Sequence, residues 1–153
     1  MMAARLVLLL ALVGCAQSAG PAGGDVQPAK QPPQLLSFKE LTSWAYVEGL
    51  EGMPESVKAL SGKRVKMTGA LLPIDDFEGC DFWLADPPAL ESHRGPKDHQ
   101  MVHVVFAQPV RMDSYIDGVT VVGTFRVKSV VVDGYVIEIF RLSVESMEPI
   151  KSR

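Results

Sequence analysis

Residues 119–144 read VTVVGTFRVKSVVVDGYVIEIFRLSV. Valine, isoleucine and aromatic residues dominate, polar residues interleave with them, and a period of two marks a β-strand. Asp133-Gly134 in the middle is a hairpin signal, because the tight turn that matches strand twist needs positive φ at both central residues. The stretch therefore predicts two long strands, 119–132 and 135–144, folded back on each other. Gly123 inside the first predicts a bend or a bulge.

Residues 64–72 (RVKMTGALL) alternate polar and apolar, as a half-buried strand does. Phe82-Trp83-Leu84 predicts a short strand stopped by Asp86-Pro87-Pro88. Residues 86–98 read as loop. Residues 101–107 are nearly all apolar and predict a strand covered on both faces. Five strands in all predict a mainly β fold, a small five-stranded OB-like barrel spanning 63–146, with an open β-sandwich as the alternative. The internal glycine suits the strong curvature of a small barrel. Residues 147–153 read as a C-terminal tail.

An N-terminal helical segment is expected over 35–62. Ser37 and Glu40 have capping-box spacing, and Leu36 and Leu41 stand where a hydrophobic staple would. Phe38, Leu41, Trp44 and Ala45 form one apolar stripe that runs to a stop at Gly49. Met53-Pro54 opens a second turn. Trp44 and Tyr46 read as packing residues, with this segment lying over an open end or an edge strand of the β domain.

The first residues carry a different message. Arg5, an apolar run from Leu6 to Val13, and then Leu12-Val13-Gly14-Cys15 have the parts of a bacterial lipoprotein signal, residues 1–14. The run is about half the roughly 20 residues a membrane span needs. An ordinary signal cut near Ala16 or Ala19 is the alternative. The lipobox reading makes Cys15 the lipidation site, carrying palmitate-like chains that attach the chain to a membrane. Ala16 after the cysteine favours the outer membrane, facing the periplasm. Residues 15–34 are rich in Gly, Pro, Ala and Gln and read as a disordered tether.

Removing residues 1–14 takes away Arg5 and no acid, leaving 14 Lys+Arg against 18 Asp+Glu, a formal charge of −4. No basic block is present, so nucleic acid is a poor partner. With Cys15 lipidated, Cys80 has no internal disulfide partner. Burial as a small hydrophobe is its plain reading, with a metal or redox role as the alternative.

The three histidines lie between 93 and 103. His99, Met101 and His103, spaced by two, would share one strand face if the pleat extends back to His99. Imidazole suits zinc or copper and thioether suits cuprous copper. His93 and Cys80 would complete a four-ligand shell. The plain alternative is a set of loop histidines with Met101 in the core. Asp75, Asp76, Glu78, Asp81 and Asp86 read as a solvated acidic turn. No serine sits in a G-x-S-x-G context and no glycine-rich phosphate loop occurs, so the reading is non-catalytic.

The phrases Met53-Pro54, Leu60-Ser61-Gly62-Lys63-Arg64-Val65, Gly69, Pro73, Phe82-Trp83-Leu84, Val102-His103-Val104 and 121–127 (VVGTFRV) together resemble an uncharacterised family of small exported bacterial proteins with an OB-like domain. The resemblance covers about residues 53–145. It implies the OB-like fold and a loose link to zinc-responsive transport. Relatives often carry a cysteine before the Gly-Pro of the loop ahead of the third strand. Here that loop reads Glu91-Ser92-His93-Arg94-Gly95-Pro96 and has none. The expectation is an envelope lipoprotein acting as a binding or accessory module, in zinc or copper handling, beside an envelope transporter or other protein partner. The alternative is a structural or protein-binding component with no metal.

Overall fold

A computed structural model describes residues 31–72, 77–112 and 116–151. The lipobox with Cys15, the tether up to residue 30, Asp75 and Asp76 lie outside the described residues. The elements in chain order are β1 (Gln34–Leu35), α1 (Phe38–Leu41), α2 (Glu55–Lys58), β2 (Arg64–Leu72), β3 (Phe77–Ala85), α3 (Pro87–Leu90), a 3-10 turn (Asp98–Gln100), β4 (Met101–Met112), β5 (Ile116–Val132) and β6 (Tyr135–Lys151). The fold is mainly β, with one six-stranded mixed sheet in the order β1-β2-β3-β4-β6-β5. β2 also pairs with β5. The β1–β2 and β4–β6 pairs are parallel and the others antiparallel.

Alternation decides which side chains fill the interior. Val65 and Met67 on β2, Phe82 and Leu84 on β3, and Val102 and Val104 on β4 are buried, while Lys66 and Thr68 between them are exposed. Phe125 and Phe140 meet across β5 and β6 with centroids 5.4 Å apart. Each such side chain contributes about 1.5–3 kcal/mol by leaving water.

The predicted hairpin is present: Val132 pairs with Tyr135, and Asp133 and Gly134 have φ of 52° and 84°. Gly123 is the predicted irregularity. The register shifts between Val122 and Gly123, and a Cβ on Gly123 would lie 2.1 Å from the Ser143 carbonyl oxygen. No side chain fits that approach. Gly69 works similarly, since a Cβ there would be 2.7 Å from the Phe38 ring.

Several expectations need correction. β1 takes Gln34 and Leu35, so the last residue of the stretch read as tether stands in a strand. β3 is longer than the predicted 82–84, and Glu78 and Asp81 stand on this strand and not in a turn. The outer face of β4 is only half covered, because Met101, His103 and Val105 remain partly exposed. β6 runs through the stretch read as a tail, with Pro149 opposite Val119. Among the described residues its strand neighbour there is β5, and such an edge position tolerates proline.

The helix expected to reach Gly49 is a single turn. Its start follows the sequence: the Ser37 amide donates to the Glu40 carboxylate at 2.9 Å, and the staple residues Leu36 and Leu41 are both buried. Its end is set by three side chains. The Thr42 hydroxyl donates to the Phe38 carbonyl, the Ser43 hydroxyl to Glu40 and the Trp44 indole to Leu41, at 2.8–2.9 Å. These bonds satisfy the last helical carbonyls locally and compete with further helix.

The contact at Gly123 yields a test. Gly123→Ala forces a methyl into backbone, and the expected loss is about 1–3 kcal/mol or more, read as a lower urea midpoint. An unchanged midpoint would show that the two strands are not this close.

Candidate functional site

Inward placement of Phe82, Leu84, Val102, Val104, Phe140 and Leu142 leaves the residues between them to the opposite face. Asp81 and Trp83 of β3, His103 of β4 and Arg141 of β6 therefore stand together on it. The register sets their neighbours: Trp83 pairs with His103, and His103 with Arg141. Trp83 stacks on the His103 ring at 4.7 Å and 20°. Register shifts between Val127 and Val130, and again at Val131, break the alternation of the β5–β6 ladder near Glu138. Glu138, 5% exposed, joins the same cluster.

The polar atoms form a chain. His103 Nε2 lies 2.8 Å from Asp81 Oδ2 and Nδ1 lies 2.5 Å from Glu138 Oε2. Arg141 grips Glu138 with two bonds, Nε to Oε1 at 2.8 Å and Nη2 to Oε2 at 2.9 Å. A histidine facing two carboxylates donates to both only when both ring nitrogens carry protons. Burial pushes the Glu138 carboxyl up. The hydrogen bonds from Arg141 and His103 outweigh that, and the net shift is downward. The chain ends at the surface: the Asp81 side chain is 58% exposed and that of Arg141 42%. It offers an anionic acceptor and a cationic donor on either side of His103, with Trp83 stacked on that ring.

A second cluster lies at the 3-10 turn. His99 is buried, stacked on Tyr46 at 4.7 Å and 5°, with Trp44 edge-on at 5.7 Å. The Tyr46 hydroxyl donates to the Asp98 carboxylate and accepts the Gly49 amide at 3.2 Å. Burial, then the Asp98 hydrogen bond, push the Tyr46 hydroxyl up to about 12. Burial, then Lys97, push His99 down. His99 Nδ1 is buried with no hydrogen-bond partner among the described residues. The cluster fastens residues 44–49 to the turn before β4.

The residues singled out for metal do not converge. His99 belongs to the 3-10 turn and not to the β4 pleat, so His99, Met101 and His103 do not share a strand face. His99 is enclosed by Tyr46 and Trp44, while His103 lies between Asp81 and Glu138. His93 is exposed on the segment between α3 and the turn. Cys80 is exposed and not buried as expected, at the irregularity between Gly79 and Asp81. Among the described residues, no group of three or more His, Cys, Asp or Glu side chains is placed to hold a metal ion. Sequence reading missed Trp83, Glu138 and Arg141 as a set. The available signal was Glu138 between Ile137 and Ile139, a charge inside an apolar strand.

No family model matches the chain, and no curated protein does. Among solved structures, the chain is similar to a DUF3299 family protein from Pseudomonas aeruginosa PAO1. The TM-score is 0.56 at 19% identity, over 80% of this chain and 99% of that one. At that identity the likeness is one of fold, to a member of an uncharacterised bacterial family. A protein named as an aspartyl-tRNA synthetase, from Leishmania major Friedlin, aligns with TM-score 0.42 and 13% identity over 84% of this chain and 23% of that one. That likeness is too weak to bear on the fold.

Two measurements follow. Glu138→Gln removes one charge from a paired, buried group and should cost about 1–3 kcal/mol at pH 7. Glu138 has a lowered pKa, so its contribution is complete above the ordinary 4.5 and is lost as pH falls through the folded value. The gap between wild type and variant should therefore close in acid; a gap constant with pH would refute the pairing. His99, also lowered from 6.5, stays neutral in the fold while the unfolded chain takes a proton. Stability should be full above pH 6.5 and decline below it, and His99→Phe should flatten the curve between pH 7.5 and 5.5. An equal slope in both proteins would contradict the burial of His99.

Proposed function

We propose that the chain is a lipid-anchored protein of the bacterial cell envelope that acts as a non-catalytic, protein-binding module, with its sheet forming an OB-like barrel. The barrel reading is supported by five long strands in the order β2-β3-β4-β6-β5 with β5 returning to β2, and by the bulge at Gly123 that bends the longest ladder. The anchor reading is supported by Leu12-Val13-Gly14-Cys15. Ala16 supports the outer membrane, on its periplasmic side.

The observation that carries the binding role is the outer face around His103. Tryptophan and arginine are the residues that most often carry binding energy at protein interfaces. Here Trp83 and Arg141 are held in place by the buried Glu138 and by His103, so little side-chain freedom is lost on contact. Partner binding is favoured over zinc or copper because both His103 nitrogens already face carboxylates.

A photo-cross-linking residue at Ser143, exposed beside Val105 on this face, tests the reading in intact cells. The expected result is one discrete adduct, lost on Trp83→Ala and absent when the probe sits at Ser56. No adduct, together with stoichiometric zinc or copper in the purified full chain that His103→Ala removes, would replace this reading by metal handling.

A further inference from the structure

The far end of the β5–β6 hairpin has no use in the binding face. β2 begins pairing with β5 at Arg64 opposite Thr124. Beyond that point β5 continues to Val132, with its ladder made to β6 alone from Val130 onward. Residues 61–63 still bond to Phe125 and Val127, so the five residues from Lys128 to Val132, at about 3.3 Å each, carry the turn roughly 16 Å past the last of these contacts. One face of this arm is covered, since Ser129 and Val136 approach Gly49. The tip itself is bare on both faces: Val131 is 56% exposed, Val132 48%, Tyr135 76% and Ile137 47%. Arg126 and Lys128 are exposed nearer its root, and Asp133 is at the turn.

Clustered apolar exposure of this kind marks a contact site. Its form narrows the occupant. These side chains sit on a projecting tip and not in a groove, so the surface that accepts them must yield to a convex probe. A lipid interface does. Tyrosine is favoured at the headgroup level, and long basic side chains reach back to phosphates.

The path of the chain points the same way. β1 is parallel to β2, with Gln34 opposite Val65. The chain therefore enters at the start of β2, the end from which the hairpin projects, and the Gln31 carbonyl accepts a hydrogen bond from Arg64 there at 2.8 Å. Residues 16–30, fifteen in number, separate Cys15 from this entry and reach about 50 Å at most.

We propose that the hairpin tip, Val131, Val132, Tyr135 and Ile137, inserts into the interfacial layer of the lipid bilayer to which Cys15 attaches the chain. The inference adds a second contact to the anchor and rests on the envelope placement given above. Two weak membrane contacts act together because the first raises the local concentration of the second. The tip would fix which side of the protein faces the membrane and leave the Trp83–His103 face to a partner.

The test uses the full chain in vesicles of phosphatidylethanolamine and phosphatidylglycerol with brominated acyl chains. A fluorescent non-natural amino acid replaces Val132, or Ile150 near the opposite end of the ladder. Quenching at position 132 should exceed that at 150 at least threefold. Val131→Asp with Tyr135→Asp should remove that excess while the circular dichroism melt stays unchanged. Equal quenching at the two positions overturns the proposal, with or without acylation of Cys15. So does concentration-dependent dimerisation that shields position 132 without quenching, which would assign the tip to a second copy. Co-flotation of unlabelled wild type and Cys15→Ser reports the anchor separately, so failure of the anchor and failure of the tip are distinguishable.

Discussion

Six residues of β2, Arg64 to Gly69, pair with β5, while Ala70 to Leu72 of the same strand pair with β3. One strand thus serves two neighbours that lie at distant places in the order, and the sheet must curve to let it. β5 meets β2 on one side and β6 on the other, and its ladder to β6 carries register shifts. Gly123 pairs with Val65 on the β2 side and Val144 on the β6 side, and it is on the β6 side that the backbone comes close. A backbone approach that leaves no room for a Cβ is a local constraint with a global effect. It sets the phase of the β5–β6 ladder and so decides which of its residues point inward.

The outer cluster depends on two further shifts in the same ladder, between Val127 and Val131. A carboxylate as enclosed as Glu138 is costly unless it is paired and hydrogen-bonded. The register shifts around Val130 bring it to Arg141 and to His103, which supply three bonds between them. The arrangement orients as much as it stabilises. A pair like this contributes little net energy compared with well-packed apolar side chains. It fixes Arg141 and His103, and through His103 the stacked Trp83, at defined positions across three strands.

The strands were legible because burial on one face leaves a period of two in the sequence. The hairpin at Asp133-Gly134 and the irregularity at Gly123 were legible because backbone geometry there admits few residues. The helix end was not: Thr42, Ser43 and Trp44 read as continuing the stripe, and only their side-chain bonds to Phe38, Glu40 and Leu41 end it. The end of β6 was hidden by Pro149 and by charges, which an edge tolerates. For the site, spacing in sequence misled. His99 and His103 look like one strand face, but a 3-10 turn intervenes. Glu138, Arg141 and Asp81 lie up to 60 residues apart, and the β3–β4 pairing and the parallel β4–β6 pairing together bring them to one histidine.

The two aromatic clusters divide the work of the turn before β4. Tyr46 and Trp44 hold His99 from one side, and Trp83 holds His103 from the other, four residues along the chain. The first is closed: the His99 ring is buried, and a proton on it would have to be carried in that enclosure. The second is open at Asp81 and Arg141, where charge meets water. The same short segment thus encloses one histidine in an aromatic cluster at His99 and turns the other, at His103, towards exposed charged groups. What separates the two roles is the change from turn to strand at Met101, which rotates the chain between one histidine and the next.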